Sequence, residues 1–370
     1  MKGLFLWISQ LNNNFWSRIS KSTDADVKSL GVYRIIVGFS LLTLNFQNIS
    51  WIGYNPQAFF NPPVLSVAYF FKGFPSPSFF IGMEVILTIL ALFITLGIKT
   101  RLSIVFYIIS SLIALNLKYS LGKINHDEIM TYAALFCMSF SGWGHELALV
   151  PDKTVEKECT KKSLSLLSVL LCFGFFSAGF EKFVGWINFD FNLSGSAGWF
   201  YPGYYVLEKQ YLLAPIAKHL PFWAFKIMDF LVVPFELSSF FFLLSSKKAW
   251  RIWLILACSF HMGNTLILNI NFISLSVVYL AFINYSKLYP RIKYFVSLKY
   301  MQVSIFCLLS LIVIFRIKNS LSSISIKKSF DDNLYIGYLY FTIIFWLLIM
   351  TIIYKSTFSE EKEYQRIPEV

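Results

Sequence analysis

The feature that most constrains this chain is a recurrence of long apolar runs joined by short, basic links. A helix needs about 20 mostly apolar residues to cross a bilayer, where no water is present to satisfy an exposed backbone. Ten runs meet or approach that length: 30–47, 79–97, 102–118, 127–142, 163–181, 222–245, 250–268, 270–286, 302–316 and 335–354. The fourth and ninth are the shortest. Several are apolar all round, as lipid-embedded helices are. Hydrophobic residues make up 56% of the chain and charged residues 14%, a composition that excludes a soluble domain. The predicted fold is all-α: a polytopic integral membrane helical bundle of about 8–10 transmembrane helices. Three segments are expected: 1–28 with an interfacial helix, a main transmembrane domain over 29–286, and two further spans with a tail over 287–370.

The net charge of +12 would suggest nucleic acid if it stood alone. The basic residues lie in the links between apolar runs, so they read as topology determinants facing anionic lipid, and the expected partner is the bilayer, not nucleic acid. With the N-terminus inside, inner segments carry basic residues over outer ones by about two to one. Both termini are then cytoplasmic, in a multi-pass protein of the plasma or inner membrane; the outer segment 317–334 breaks the pattern. Leu4, Ile8, Leu11, Phe15 and Trp16 recur at roughly helical spacing and predict a short helix in the interface. Four of the five cysteines lie in apolar runs and Cys159 lies in a basic link, with no CxxC; they read as small buried hydrophobes. The two long outer connections, 47–78 and 187–221, read either as lids and binding surfaces or as packing that caps the bundle.

Ionisable groups inside a span cost about 2.5 kcal/mol or more, so they default to functional candidates. Glu84 lies about a third of the way into the second run. His126 and Asp127 open the fourth, and Glu181 and Lys182 close the fifth. Asp229 lies in the sixth with Glu236 seven residues on, hence on one helical face, and Pro234 between them predicts a kink. His261 and Asn264 lie past the middle of the seventh. Arg34, one turn inside the first, reads as snorkelling toward the cytoplasm. Each has a structural alternative: His126 as a solvated helix start, Lys182 as an interfacial anchor, His261 as a hydrogen-bonded core group. Asp229 and Glu236 read as a packing pair, or as partners of Arg34 or Lys226. The four histidines show no metal-ligand spacing. Favouring a site, the topology brings His126, Lys182 and His261 toward the same leaflet. Small residues, Ser177, Ala178 and Gly179, stand just before Lys182, where another helix or a ligand can approach closely.

Four segments carry a resemblance: SLGVYRIIVGFSLL at 29–42; LGIKTRLS at 96–103 with NHDEIM at 125–130; AGFEKFVGW at 178–186; and FHMGNTL at 260–266. Together and in this order they resemble the HTTM (horizontally transferred transmembrane) family, related to the membrane module of vitamin K-dependent gamma-carboxylase. The resemblance covers about 29–286. It implies a quinol-dependent reaction at the extracytoplasmic side, with a reduced quinone of the vitamin K hydroquinone kind as cofactor. It implies Lys182 as base, with Asn125–His126 and His261 assisting. Asn264, Trp186, Glu84 and Asp229 are read with Asn125 as the residues around the cofactor. An apolar, aromatic-rich bundle suits a quinone ring and its tail. Where the carboxylase has a second lysine beside the catalytic one, this chain has Glu181, and a carboxylate there favours the ammonium form of Lys182. The motif is also one residue shorter before Trp186. After 286 the chain continues with spans where the carboxylase has a large lumenal domain, so carboxylation of a docked protein is not expected. Small relatives of this module imply an alternative, a membrane partner in maturation or export of a secreted peptide toxin of the sporulation-delaying type. A transporter is the third reading.

Overall fold

The computed structural model describes residues 2–24, 26–122, 128–322 and 332–364. Its helices, in chain order, begin with α1 (Lys2–Ser22), α2 (Val27–Leu42), α3 (Pro77–Leu96), α4 (Thr100–Tyr119) and α5 (Ile129–Met138). There follow α6 (Lys157–Trp186), α7 (Gly195–Tyr205), α8 (Ala214–Ala217), α9 (Phe222–Leu237), α10 (Ser239–Ser245) and α11 (Lys247–Leu268). The last are α12 (Ile273–Tyr279), α13 (Tyr289–Ser297), α14 (Lys299–Ser322) and α15 (Asp332–Tyr364). Among the described residues the only β pairing is an isolated bridge between Ile98 and Val150. The protein is an all-α, multi-pass membrane bundle.

Among the described residues six helices are long and apolar enough to cross a bilayer: α3, α4, α6, α11, α14 and the Tyr335–Phe358 part of α15. The pair α9 and α10, bent by 43°, passes the same test when taken together, as a broken span or a re-entrant loop. The bend follows Pro234, which lacks the N–H that a helix needs at that turn. Three predicted runs are shorter helices. The first ends at Leu42, the fourth keeps only α5, and the eighth is α12 followed by a 3₁₀ turn at Leu280–Phe282. The ninth run, the shortest from sequence, is instead the full-length α14. Only 6% of its apolar window is covered by the rest of the chain, and Cys307 on it is exposed rather than buried. The N-terminal helix is longer than expected, with Leu4, Leu6, Trp7 and Ile8 exposed and Ile19 buried.

The chain forms two compact units. One gathers α2 to α5 with α13 and α14. There Arg34 is fully buried and does not snorkel. Its guanidinium donates to the carbonyls of Ile94 (2.9 Å), Thr95 (3.2 Å), Glu146 (3.2 Å) and Leu147 (2.6 Å). These include orphan carbonyls at the end of α3, where Gly97 at φ 71° turns the chain back toward α4. The connection after α2 is folded, not loose. Ile49, Ile52, Ala68 and Phe74 pack against Phe80 and Met83 of α3 and Ala114 and Leu117 of α4. The outer face of the same connection leaves Val64, Leu65 and Phe70 exposed.

The other unit gathers α1, most of α6, α7 to α12 and α15. Lipid offers helices no hydrophobic drive to associate, so close contact at small residues and polar bridges has to hold them. Its long connection is capping structure: Ala197, Phe200 and Tyr204 of α7 and Ala214 and Ala217 of α8 pack on Phe225 of α9.

Candidate functional site

The site is built where α6 meets α9. Cys172, Phe175, Gly179 and Lys182 recur three and four residues apart and so share one face of α6. A Cβ on Gly179 would stand 2.8 Å from the Cβ of Glu236 and 3.2 Å from the Leu237 amide nitrogen. Only glycine permits that approach. It brings Lys182, almost one turn further along α6, against Glu236.

Lys182 Nζ and Glu236 Oε1 form a short ion pair. The Glu236 side chain is 3% exposed and that of Lys182 23%, so the pair opens to the surface on the lysine side. Glu181, the neighbour expected to hold the ammonium, points out and is exposed. The ammonium also lies 5.4 Å from the centroid of the Trp186 ring and 6.0 Å from that of Phe260, both within cation–π range.

The third group comes from α11. Trp250, Leu254, Ala257, His261 and Thr265 form its buried stripe. The Nε2 of His261 shares a 2.7 Å hydrogen bond with the Tyr279 hydroxyl of α12. Five aromatic rings surround the imidazole: Phe272 at 4.9 Å, Trp346 at 5.3 Å, Phe260 at 5.4 Å, Phe175 at 5.8 Å and Tyr279 at 6.0 Å between centroids. Phe175 also meets Phe235, the neighbour of Glu236, at 6.0 Å. Phe175 and Phe260 thus join the imidazole to the ion pair in one aromatic cage. Within it two buried polar atoms have no hydrogen-bond partner among the described residues, Glu236 Oε2 and His261 Nδ1.

The other expected site residues have their own settings. Trp186 flanks Lys182, and its carbonyl accepts from Lys226 at 3.1 Å. Lys226 donates further to Asn188 Oδ1 and the Leu193 carbonyl, each at 2.8 Å. Asp229 receives the Gly195 and Ser196 amides at 3.1 and 2.8 Å, at the start of α7. Neither Arg34 nor Lys226 pairs with Asp229 or Glu236; α9 uses Lys226 and Asp229 to fasten the chain that follows α6. Glu84, in the other unit, accepts the Ile49 and Ser50 amides at 2.6 Å each and so holds the turn after α2. Asn264 is half-buried one turn after His261. Asn125 and His126 lie outside the described residues. Among the described residues no group of three His, Cys, Asp or Glu side chains stands together as a metal site.

Comparison with family models, with curated proteins and with solved structures finds no match.

Proposed function

We infer that this chain is an integral membrane enzyme of the HTTM, carboxylase-like class, acting on a reduced quinone from the extracytoplasmic side, with both termini in the cytoplasm. The observation that carries this reading is the Lys182–Glu236 pair set in an aromatic cage with the His261–Tyr279 hydrogen bond. A reduced quinone supplies an acidic ring hydroxyl. The residues present suit it: flat aromatic walls for the ring, and in Glu236 Oε2 a buried acceptor with no donor among the described residues. Trp186, Lys182 and Glu236 would hold the hydroxyl end, and Phe175, Phe260 and His261 the ring.

The contact with Glu236 gives Lys182 two states. As an ammonium it neutralises the carboxylate. With its proton passed to Glu236 it is a neutral amine beside a carboxylic acid, and can take a proton from a hydroxyl. The transfer between Lys182 and Glu236 leaves the net charge of the pair unchanged, and a proton then taken from a hydroxyl leaves its phenolate beside the ammonium, so the site as a whole stays neutral where an uncompensated charge is expensive. Tyr279 fixes the ring of His261 beside this exchange. Purified protein in lipid nanodiscs, supplied with a short-chain naphthohydroquinone and with dioxygen as the two-electron oxidant, is expected to convert it to the quinone, with dioxygen reduced to hydrogen peroxide, faster than empty nanodiscs do. Lys182→Ala should slow that consumption by about 100-fold or more. Undiminished consumption by the variant removes the reading.

A further inference from the structure

The least explained atom in the cage is Glu236 Oε2. Its sister oxygen is taken by Lys182, it lies in a side chain 3% exposed, and it has no donor among the described residues. A carboxylate oxygen only accepts hydrogen bonds, and a buried one without a donor carries the desolvation cost of an unmade bond. Phe260 lies 6.0 Å from the Lys182 ammonium that holds Glu236, and it meets Phe235 at 5.3 Å, which meets Phe175 at 6.0 Å; these rings offer apolar area and no conventional donor. A ligand seated here would satisfy it by bringing its own O–H or N–H, with an apolar body that fits among the rings. A cationic partner would add a second positive charge beside the Lys182 ammonium, so a neutral donor is favoured.

We propose that Glu236 is the specificity-determining residue of this site, selecting a neutral apolar ligand that donates a hydroxyl to Oε2 over one that offers only an ether or carbonyl oxygen. The claim rests on reading the Lys182 cluster as a site, not on the ligand being a quinol. An acceptor-only oxygen gains a charge-assisted bond from a hydroxyl and is repelled by a carbonyl. Sites built to bond a hydroxyl reject analogues lacking it, because their own polar group is then left unpaired. Lys182 sharpens the test. In Glu236→Gln the ammonium still needs an acceptor, which turns the amide oxygen toward Lys182 and leaves the amide N–H₂ at the Oε2 position. The acceptor becomes a donor.

The experiment is calorimetric titration of the protein in nanodiscs, with empty nanodiscs subtracted for partition into lipid. The probes are 4-hexylphenol, its methyl ether and 4-hexylacetophenone. The wild type is expected to bind the phenol roughly 10-fold to 100-fold more tightly than the ether or the ketone. Glu236→Gln should lose that preference and move toward the ketone. Equal binding of phenol and ether by the wild type overturns the proposal without any variant. So does a phenol preference that survives in Glu236→Gln, or the absence of binding by all three, in which case Oε2 is served by water. Tests with a hydroquinone and its quinone separate the two ideas. Binding of the phenol but not the hydroquinone sinks the quinol reading and leaves this one. Equal binding of hydroquinone and quinone does the reverse.

Discussion

Replacing Lys182 by methionine keeps the volume of the side chain and removes its charge, so it isolates what the ammonium does for Glu236. The carboxylate stays buried with no cation against it. Breaking a buried pair from one side costs about 3–5 kcal/mol, and the lower end applies here because Lys182 itself is partly exposed. Removing both charges leaves nothing unpaired, so Lys182→Met with Glu236→Met should recover most of that loss. Thermal unfolding midpoints of the two single variants and the double variant in one detergent close the cycle, and strict additivity would show that the two side chains do not act as a pair. The sequence supports half of this. Lys182 stands out because an ammonium at the end of an apolar run needs a reason. Its partner does not stand out: Glu236 lies 54 residues away, and Glu181, the carboxylate next to it in the chain, points elsewhere. Adjacency in a helix places side chains about 100° apart, so the near neighbour was the wrong one to weigh. Arg34 misleads for a similar reason. Its depth in an apolar run suggests snorkelling, whereas its partners are main-chain carbonyls, which composition does not reveal.

At the scale of elements, the two glycines at positions 179 and 185 near the end of α6 give opposite predictions. Gly179 lies against α9, and Gly185 has no heavy atom within 4 Å of where a Cβ would be. Gly179→Ala forces the helices apart and should cost about 1–3 kcal/mol, with loss of whatever the Lys182–Glu236 contact supports. Gly185→Ala adds only helix propensity and should be neutral or stabilising by about 0.5–1 kcal/mol. Unfolding midpoints of the two variants compare them directly; equal effects would mean that the α6–α9 approach does not depend on Gly179. That small residues precede Lys182 is visible in the chain. Which helix they admit is not, because every apolar helix is an equal candidate until packing chooses one. The long spans are legible for a simple reason: about 20 apolar residues have few other uses. The short ones are not, since a run that ends in turns, as after α2, α5 and α12, has nearly the same composition as one that continues.

For the whole molecule the open physical question is how chain order maps onto the two sides of the membrane, and parity answers it. Between α1, which is not among the candidate spans, and the basic stretch around Lys153, Lys157, Lys161 and Lys162 lie α2, α3, α4 and α5. Two of these are full-length spans, and two, of 16 and 10 residues, are short. If the short ones are alike, both crossing or neither, the basic stretch is on the N-terminal side, where anionic lipid favours it. Cys159 reports that side, being exposed at the start of α6. A membrane-impermeant maleimide should label it in inverted vesicles and not in intact cells, using a variant with Cys307→Ser to remove the other exposed thiol. Counting the bent pair as one crossing, the candidate spans from there on are α6, that pair, α11, α14 and α15, an odd number, so on that count the C-terminus returns to the same side only if the segment around α12 also crosses. Ten helical residues from Ile273 to Phe282 span about 15 Å, half the hydrocarbon thickness, and the extended stretch before them has to supply the rest. The expected result is a C-terminal tag on the Cys159 side. A tag on the opposite side would make α12 a re-entrant support that carries Tyr279 to His261 without crossing. The site would keep its geometry, and the cytoplasmic assignment of the C-terminus would be lost.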